Sequence, residues 1–349
     1  MNNSARWQKT CLSILCVILA LILIVMTFAT VYVHHLLGKM NRVPTDNDDT
    51  LAPEDMATAT ETVDPTYTGP TVDPGDVTIN TLPSAPPPSQ DEENIVNILL
   101  VGQDRKPGEP RQRSDSMILC TFNEKTNTIV MTSFMRDTYV YIPGHGKNKM
   151  NAAYQWGGFK LLNETLAVNF GVHVDANVEV DFGAFKDVID LLGGVEIELT
   201  KGEADYINTK LKSQRVRAGK QTLDGEEALW YARNRSTKTL TGNNNDFGRT
   251  ERQRRLITAL IQKYKNQDLM TMLGLLEEIL PMITTNMTNY EIMDYAVDLF
   301  PMLGSAEVET LRIPTDDTYY DASISGIGSS LIPDLEEIRE ILVDAGVAN

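Results

Sequence analysis

The stretch "YARNRSTKTLTGNNNDFGRTERQRR" (231–255) holds six of the chain's sixteen arginines: Arg233, Arg235, Arg249, Arg252, Arg254 and Arg255. Guanidinium is the side chain best matched to phosphate, which it grips with two parallel hydrogen bonds. The segment after Gly248 reads as a helix with an apolar stripe of Leu256, Ile257, Leu260, Ile261 and Tyr264. Three- and four-residue steps back along that stripe lead to Gln253 and then Arg249, so both are expected to face inward at the first turn. A cation there opposes the helix dipole and calls for an anion. That anion is either a bound ligand or an internal partner such as Asp246. Arg254 and Arg255 fall elsewhere on the wheel and are expected to face water. Arg233 and Arg235 close the preceding helix, "LDGEEALWYARNR", and their i, i+2 spacing aligns them only on an extended segment.

A second polar cluster, "VGQDRKPGEPRQRSDSM" (101–117), begins where a buried strand ends, the place at which open α/β sheets hold ligands. Asp104 and Asp115 flank a Gly/Pro loop. They either close onto one Mg²⁺, which takes one or two carboxylates and fills its shell with phosphate and water, or serve as turn formers. "SFMRDTYVYIPG" sets Arg136 and Asp137 just past another strand end. Other chemistries lack their residues. There is no G-x-S-x-G, G-x-G-x-x-G or H-E-x-x-H, and each Gly-Lys pair lacks the earlier glycine of a P-loop.

The elements that must position these groups read clearly. "NIVNILLVG" (94–102) is a strand buried on both faces. "SMILCTF" and "TIVMTSF" are strands of a hairpin joined by "NEKTN". "NVEVDFGAFKDVIDLLGGVEIEL" (177–199) is strand, helix, strand, with Asp181 as N-cap, Gly193-Gly194 as terminator, and Phe182, Phe185, Val188, Ile189 and Leu192 on one face. Thr288 and Glu291 form a capping box before another helix, and "IPDLEEIREILVDAG" is a last amphipathic one. The fold expected is a single α/β domain over 94–349, with a central mixed sheet covered by helices.

Charge divides the rest of the chain. Residues 1–42 carry four Lys or Arg and no acid, and 43–93 carry twelve Asp or Glu and no base; with −17 overall, −9 remains on 94–349. A folded region of that sign is no general nucleic-acid binder. Residues 11–33 contain no charged side chain, and as a helix they reach about 35 Å, enough to cross a bilayer core of roughly 30 Å. They are expected to be an uncleaved anchor, preceded by a cytoplasmic stub (1–10). The domain then lies outside the cell, a single-pass type II layout. Residues 34–93 read as an acidic, Pro/Thr-rich, disordered juxtamembrane stalk, with nine prolines after residue 42. Cys120 is alone outside the anchor, so the domain has no internal disulfide. His34 and His35 read as a polar interfacial pair.

The blocks "NILLVGQD…RSDSMIL", "RDTYVYIPGHGKNKMNAAYQWGG", "LLGGVEIEL", "LDGEEALWYARNR" and "DFGRTERQ", in that order, resemble the LytR–CpsA–Psr family of bacterial cell-wall proteins over about residues 95–265. The resemblance implies a phosphotransferase that moves a glycopolymer, teichoic acid- or capsule-like, from a polyprenyl-pyrophosphate carrier to peptidoglycan. It implies Mg²⁺ on Asp104 and Asp115. Arg113, Arg136, Arg233, Arg235, Arg249 and Gln253 are implied as the pyrophosphate set, supported by Lys149 and Asp246, with Asp115, Arg136 and Arg249 at the chemistry. Asp115 or Asp137 is the base. The partners implied are the carrier-linked glycopolymer, peptidoglycan and membrane lipid. The chain departs from the family at Met135, where proline is usual, and in the insert "STKTLTGNNN", which is expected to rim the site. The carrier's tail needs an apolar slot; the Leu, Ile and Met of the helices are either that slot or ordinary core. A pyrophosphatase using water at the same site, and a non-catalytic envelope regulator, are the alternatives.

Overall fold

In the computed structural model, which describes residues 71–83, 94–103, 111–265 and 278–348 together with 38, 41–42, 267, 271 and 274–275, the run "NIVNILLVG" is the middle of the main sheet. The strands in chain order are β1 (Asn41–Arg42), β2 (Thr71–Val72), β3 (Ile95–Gln103), β4 (Ser114–Asn123), β5 (Thr128–Phe134), β6 (Tyr139–Ile142), β7 (Gly146–Lys149), β8 (Ala176–Asp181), β9 (Val195–Leu199), β10 (Gly219–Leu223), β11 (Thr284–Thr285), β12 (Glu307–Ile313), β13 (Tyr319–Ile324) and β14 (Gly328–Pro333). The helices are α1 (Asn151–Phe170), α2 (Phe182–Leu191), α3 (Lys201–Leu211), α4 (Gly225–Arg233), α5 (Asn245–Tyr264), α6 (Asn289–Ser305) and α7 (Leu335–Asp344).

The main sheet has seven strands in the order β1-β11-β8-β3-β4-β5-β12. β3 pairs with β8 and β5 with β12 in parallel, while β3–β4 and β4–β5 are antiparallel, so the sheet is mixed as expected. β3, β5, β8 and β12 therefore point one way, and their C-terminal ends share one edge. On one face, Leu99, Met117 and Phe134 pack under Leu166 and Phe170 of α1 and Ile338 and Leu342 of α7. The other face packs against α6 through Leu299 and Met302, and against α5 through Ile257 and Ile261. Cys120 is buried there, and burial pushes its thiol up to about 12.

The strand–helix–strand over 177–199 forms with the expected signals. Asp181 accepts from the Ala184 amide, and Gly193 and Gly194 take φ of 70° and 77° to end α2. Its second strand pairs with β10, and α2, α3 and α4 gather on Ile197, Leu223 and Tyr231 into a second small core. Gly225 lets α4 approach α2 closely, since a Cβ there would lie 2.3 Å from the Lys186 carbonyl oxygen. The Thr288–Glu291 capping box opens α6.

The stalk expectation needs correction over 71–83. β2 pairs with β13, Val77 is buried beside Tyr139 and Ile324, and the Leu82 amide donates to the Val168 carbonyl. Pro- and Asp-rich composition concealed a few apolar residues, Val72, Val77 and Ile79, that dock on an existing surface and need no core of their own. β1 likewise pairs with β11 at the sheet edge. The anchor (11–33), the stub and most of 34–93 lie outside the described residues. Among the described residues no helix is long and apolar enough to cross a membrane.

Candidate active site at the mouth of an apolar cavity

The hairpin register brings the first charged residues together. Ile118 faces Ser133 across β4–β5, so three more steps set Asp115 against Arg136. Arg136 Nη1 lies 2.8 Å from Asp115 Oδ1. A register shift at Gly102/Gln103, where β3 runs past Ser116 and Ser114, re-aims the start of β4 at the sheet's C-terminal edge.

The first turn of α5 adds Asp246 and Arg249. Asp246 sits where a carboxylate suits the helix dipole. Its Oδ1 takes Arg235 Nε at 2.9 Å, and its Oδ2 takes Arg136 Nε at 3.1 Å and Arg249 Nη2 at 3.2 Å. Asp115 Oδ1 lies 3.8 Å from Arg249 Nη1 and 3.9 Å from Arg235 Nη2. Asp137 joins through Arg136 Nε at 3.3 Å and Lys149 Nζ at 3.4 Å. Arg136, Lys149, Arg235 and Arg249 thus share three carboxylates, and the cluster keeps a surplus of positive charge.

Burial sets the protonation states. It pulls the Arg249 guanidinium down to about 10, still far above neutrality, so the group stays charged. Arg136 loses by burial too, but Asp137, Asp246 and Asp115 more than offset this and raise it. Asp137 is pushed up by burial, which Arg136 and Lys149 only partly counter and its hydrogen bond with Asp246 reinforces. Asp246 pays the same burial cost, but Arg249, Arg136 and Arg235 bring it below the usual range. Of the two carboxyls, Asp137 therefore takes up a proton more readily than Asp246.

Beside the network opens a cavity of about 700 Å³. Its walls are Leu100 and Ile118 from the sheet, Phe182, Phe185 and Val188 from α2, Leu229 and Trp230 from α4, and Leu256, Ile257 and Leu260 from α5, with Asp115, Arg233, Arg235, Arg249 and Gln253 forming its polar part. The apolar face of α2 lines this space. That volume and lining belong to ligand pockets. Arg249 has a side chain only 4% exposed, yet its Nε has no hydrogen-bond partner among the described residues. A buried donor so placed favours an anion.

All the expected site residues except Asp104 have a place among the described residues. Asp115, Arg136, Lys149, Arg235, Asp246 and Arg249 form the network. Gln253 accepts from Ser116 Oγ at 2.9 Å on the cavity wall, and Arg233 stacks on Phe182 at 4.4 Å. Arg113 Nε donates to Gln155 Oε1 at 3.3 Å. Asp104 lies outside the described residues. Among the described residues no three His, Cys, Asp or Glu side chains converge on a metal position. Asp115 alone fits a Mg²⁺ that is shared with phosphate, since such an ion needs only one or two carboxylates.

The expectation that Arg254 and Arg255 face water fails for Arg254, while Arg255 is half-buried and tethered. Arg254 is buried, which pulls it down to about 10. Arg255 donates to Tyr231 Oη at 2.7 Å and to the Glu198 carbonyl at 2.8 Å. α5 is wrapped by the second core and the main sheet, so a wheel with one buried stripe undercounts its contacts. Sequence reasoning also missed Arg252, whose Nε meets Glu203 Oε1 at 2.7 Å with both side chains 0% exposed. The insert is stapled to α5: Glu251 Oε2 accepts from Thr239, Thr241 and Asn243 at 2.8, 2.6 and 2.8 Å.

Residues 57–341 match the family model described as the LytR_cpsA_psr family. The chain is 33% identical over 241 residues to the polyisoprenyl-teichoic acid–peptidoglycan teichoic acid transferase TagT of Bacillus subtilis (strain 168), covering 66% of this chain and 70% of that protein. It is 33% identical over 239 residues to the regulatory protein MsrR of Staphylococcus aureus, covering 68% and 69%. A solved structure of TagT with bound octaprenyl pyrophosphate lipid matches with a TM-score of 0.56 at 30% identity, over 77% of this chain and 98% of that one.

Proposed function

The chain belongs to the LytR–CpsA–Psr family, and from that premise we propose that it attaches a teichoic acid- or capsule-like glycopolymer to peptidoglycan, taking it from a polyprenyl-pyrophosphate carrier. The observation that carries this reading is Arg249, buried with an unpartnered Nε at the polar end of an apolar cavity. A molecule with a prenyl tail and a pyrophosphate head satisfies both at once. The octaprenyl pyrophosphate held by TagT supports it.

In the reaction a peptidoglycan hydroxyl attacks the phosphorus on the glycan side of the pyrophosphate. The bond to the bridging oxygen breaks, and polyprenyl phosphate leaves. Arg136, Arg235 and Arg249 bind the phosphate oxygens and stabilise charge developing on the bridging and leaving oxygens, the main demand of phosphoryl transfer. The acceptor proton passes to a carboxylate of the network, Asp115 or Asp137. Asp115 and Asp104 would hold Mg²⁺, which when bound neutralises pyrophosphate charge. Residues 11–33 anchor the domain outside the cell.

The test combines carrier-linked glycopolymer, a peptidoglycan oligomer and the protein, and reads covalent attachment beside free glycopolymer phosphate. Attachment that requires the oligomer is expected; equal phosphate release with and without it would make the protein a pyrophosphatase. Asp115→Ala is expected to remove turnover at every point of a magnesium titration while the fold persists, because the residue is partly exposed at a strand start. Wild-type rates from this variant would exclude Asp115 as a ligand.

Filling the cavity gives an independent check. Val188→Trp places an indole in the slot. Displacing even two prenyl methylenes costs about 1.6 kcal/mol, so KM for a long-chain donor is expected to rise roughly tenfold or more. A short-chain donor should be little affected, and an equal rise for both would show that the tail lies elsewhere.

A further inference from the structure

In a chain of net charge −17, residues 206–223 hold Lys210, Lys212, Arg215, Arg217 and Lys220 and no acid. They form the second half of α3, the loop that follows it and β10. Asn208 fixes the loop's shape: its Nδ2 donates to the Val216 carbonyl at 2.7 Å, and its Oδ1 accepts from the Val216 amide at 3.1 Å. The cations differ in what holds them. Arg215 is engaged by Asp224 and Glu227, both at 2.9 Å, and Lys220 by Glu196 at 2.7 Å. Lys210, Lys212 and Arg217 are exposed, and among the described residues no carboxylate lies within ion-pair distance of them.

This basic loop meets the cavity. The Lys210 ammonium lies 5.3 Å from the Tyr206 ring centre and 5.5 Å from that of Trp230, and all three residues line the cavity. Arg233 stacks on the same Trp230 at 5.3 Å. The rim therefore runs from Arg233 through half-buried aromatics to the exposed Lys210.

We propose that Lys210, Lys212 and Arg217, with Tyr206 and Trp230, dock this domain on anionic lipid headgroups, so that the donor's tail enters the cavity directly from the bilayer. The inference rests on reading the cavity as the prenyl slot. A prenyl tail starts in the membrane, and a slot that accepts it must reach the membrane surface. Aromatic rings beside cations with apolar stems are the side chains that settle at that boundary. The remainder of the acidic chain is repelled by an anionic surface, and with a screening length of roughly 8–10 Å only a local patch decides which face approaches. Each cation near such a surface contributes roughly fivefold to binding.

The test uses the full chain in vesicles with Lys212→Glu and Arg217→Glu combined, since neither residue lines the cavity. With anionic lipid present, KM for a vesicle-embedded carrier donor is expected to rise tenfold or more at unchanged kcat. A water-soluble short-prenyl donor should show no change, and neutral vesicles should erase the difference. An unchanged KM in anionic vesicles overturns the proposal. A shift that persists in neutral vesicles overturns it in favour of contact with an anionic glycopolymer. Acetylation of Lys210 and Lys212, read by mass spectrometry, should slow several-fold in anionic relative to neutral vesicles while exposed Lys125 keeps its rate; equal rates also overturn it. That second readout stands even if the protein turns over no donor, a result that would instead sink the transferase reading.

Discussion

Arg252→Ala is expected to lower stability by about 3–5 kcal/mol, because it strands a buried carboxylate. At roughly 2–4 °C per kcal/mol for a domain of this size, the melting midpoint should fall by about 6–20 °C. Arg252 Nε meets Glu203, while its Nη1 and Nη2 donate to the carbonyls of Asn234 and Thr237, all at 2.7 Å. Glu203 has a second duty, since its Oε2 accepts the Thr200 amide at 2.8 Å and caps α3. One guanidinium thus ties α5, α3 and the start of the insert together. Replacing both partners, as Arg252→Met with Glu203→Gln, should recover part of the loss, because no charge is then left buried. A single-variant shift below about 3 °C by thermal denaturation would mean that water reaches Glu203 and the pair is not sealed.

Arg252 also marks where the sequence stopped being legible. The apolar stripe of α5 located Arg249 and Gln253 correctly, since the periodicity runs through them into the cavity. Arg252 is held by Glu203, and Arg255 by Tyr231 and the Glu198 carbonyl, groups that lie far away in the chain and leave no local periodicity. Asp115 beside Arg136 was more accessible: the short "NEKTN" turn implies a hairpin, and its register then sets the two opposite each other. The α2 stripe was read rightly as apolar. Whether such a face meets core or cavity is not a property of its own residues, because both uses require the same exclusion of water. Residues 71–83 were missed for a related reason, since three apolar residues can dock on a ready surface despite a composition that could never build one.

Arg249→Ala is expected to cut turnover of the carrier donor by roughly a hundredfold. A lost charge-assisted hydrogen bond is worth about 1.5–3 kcal/mol, and removal of one donor from a transition-state anion site costs on the order of 10²–10³ in rate. Asp246 would keep Arg136 and Arg235, so the carboxylate is not stranded and the fold should survive. The control is Arg254→Ala. Both residues sit on α5, both are buried, and burial draws both guanidiniums down to about 10. They differ in direction, because Arg249 lines the cavity and Arg254 does not. Arg254→Ala should therefore shift the melting curve but leave kcat within a few-fold once the folded fraction is matched. Arg249→Lys refines the test: it keeps the charge but loses the fork and the Nε donor, so it should recover binding more than rate. If Arg254→Ala lowers kcat as much as Arg249→Ala at equal folded fraction, the loss follows from disturbing α5 as a whole, and the unpartnered Nε of Arg249 has no part in holding the pyrophosphate.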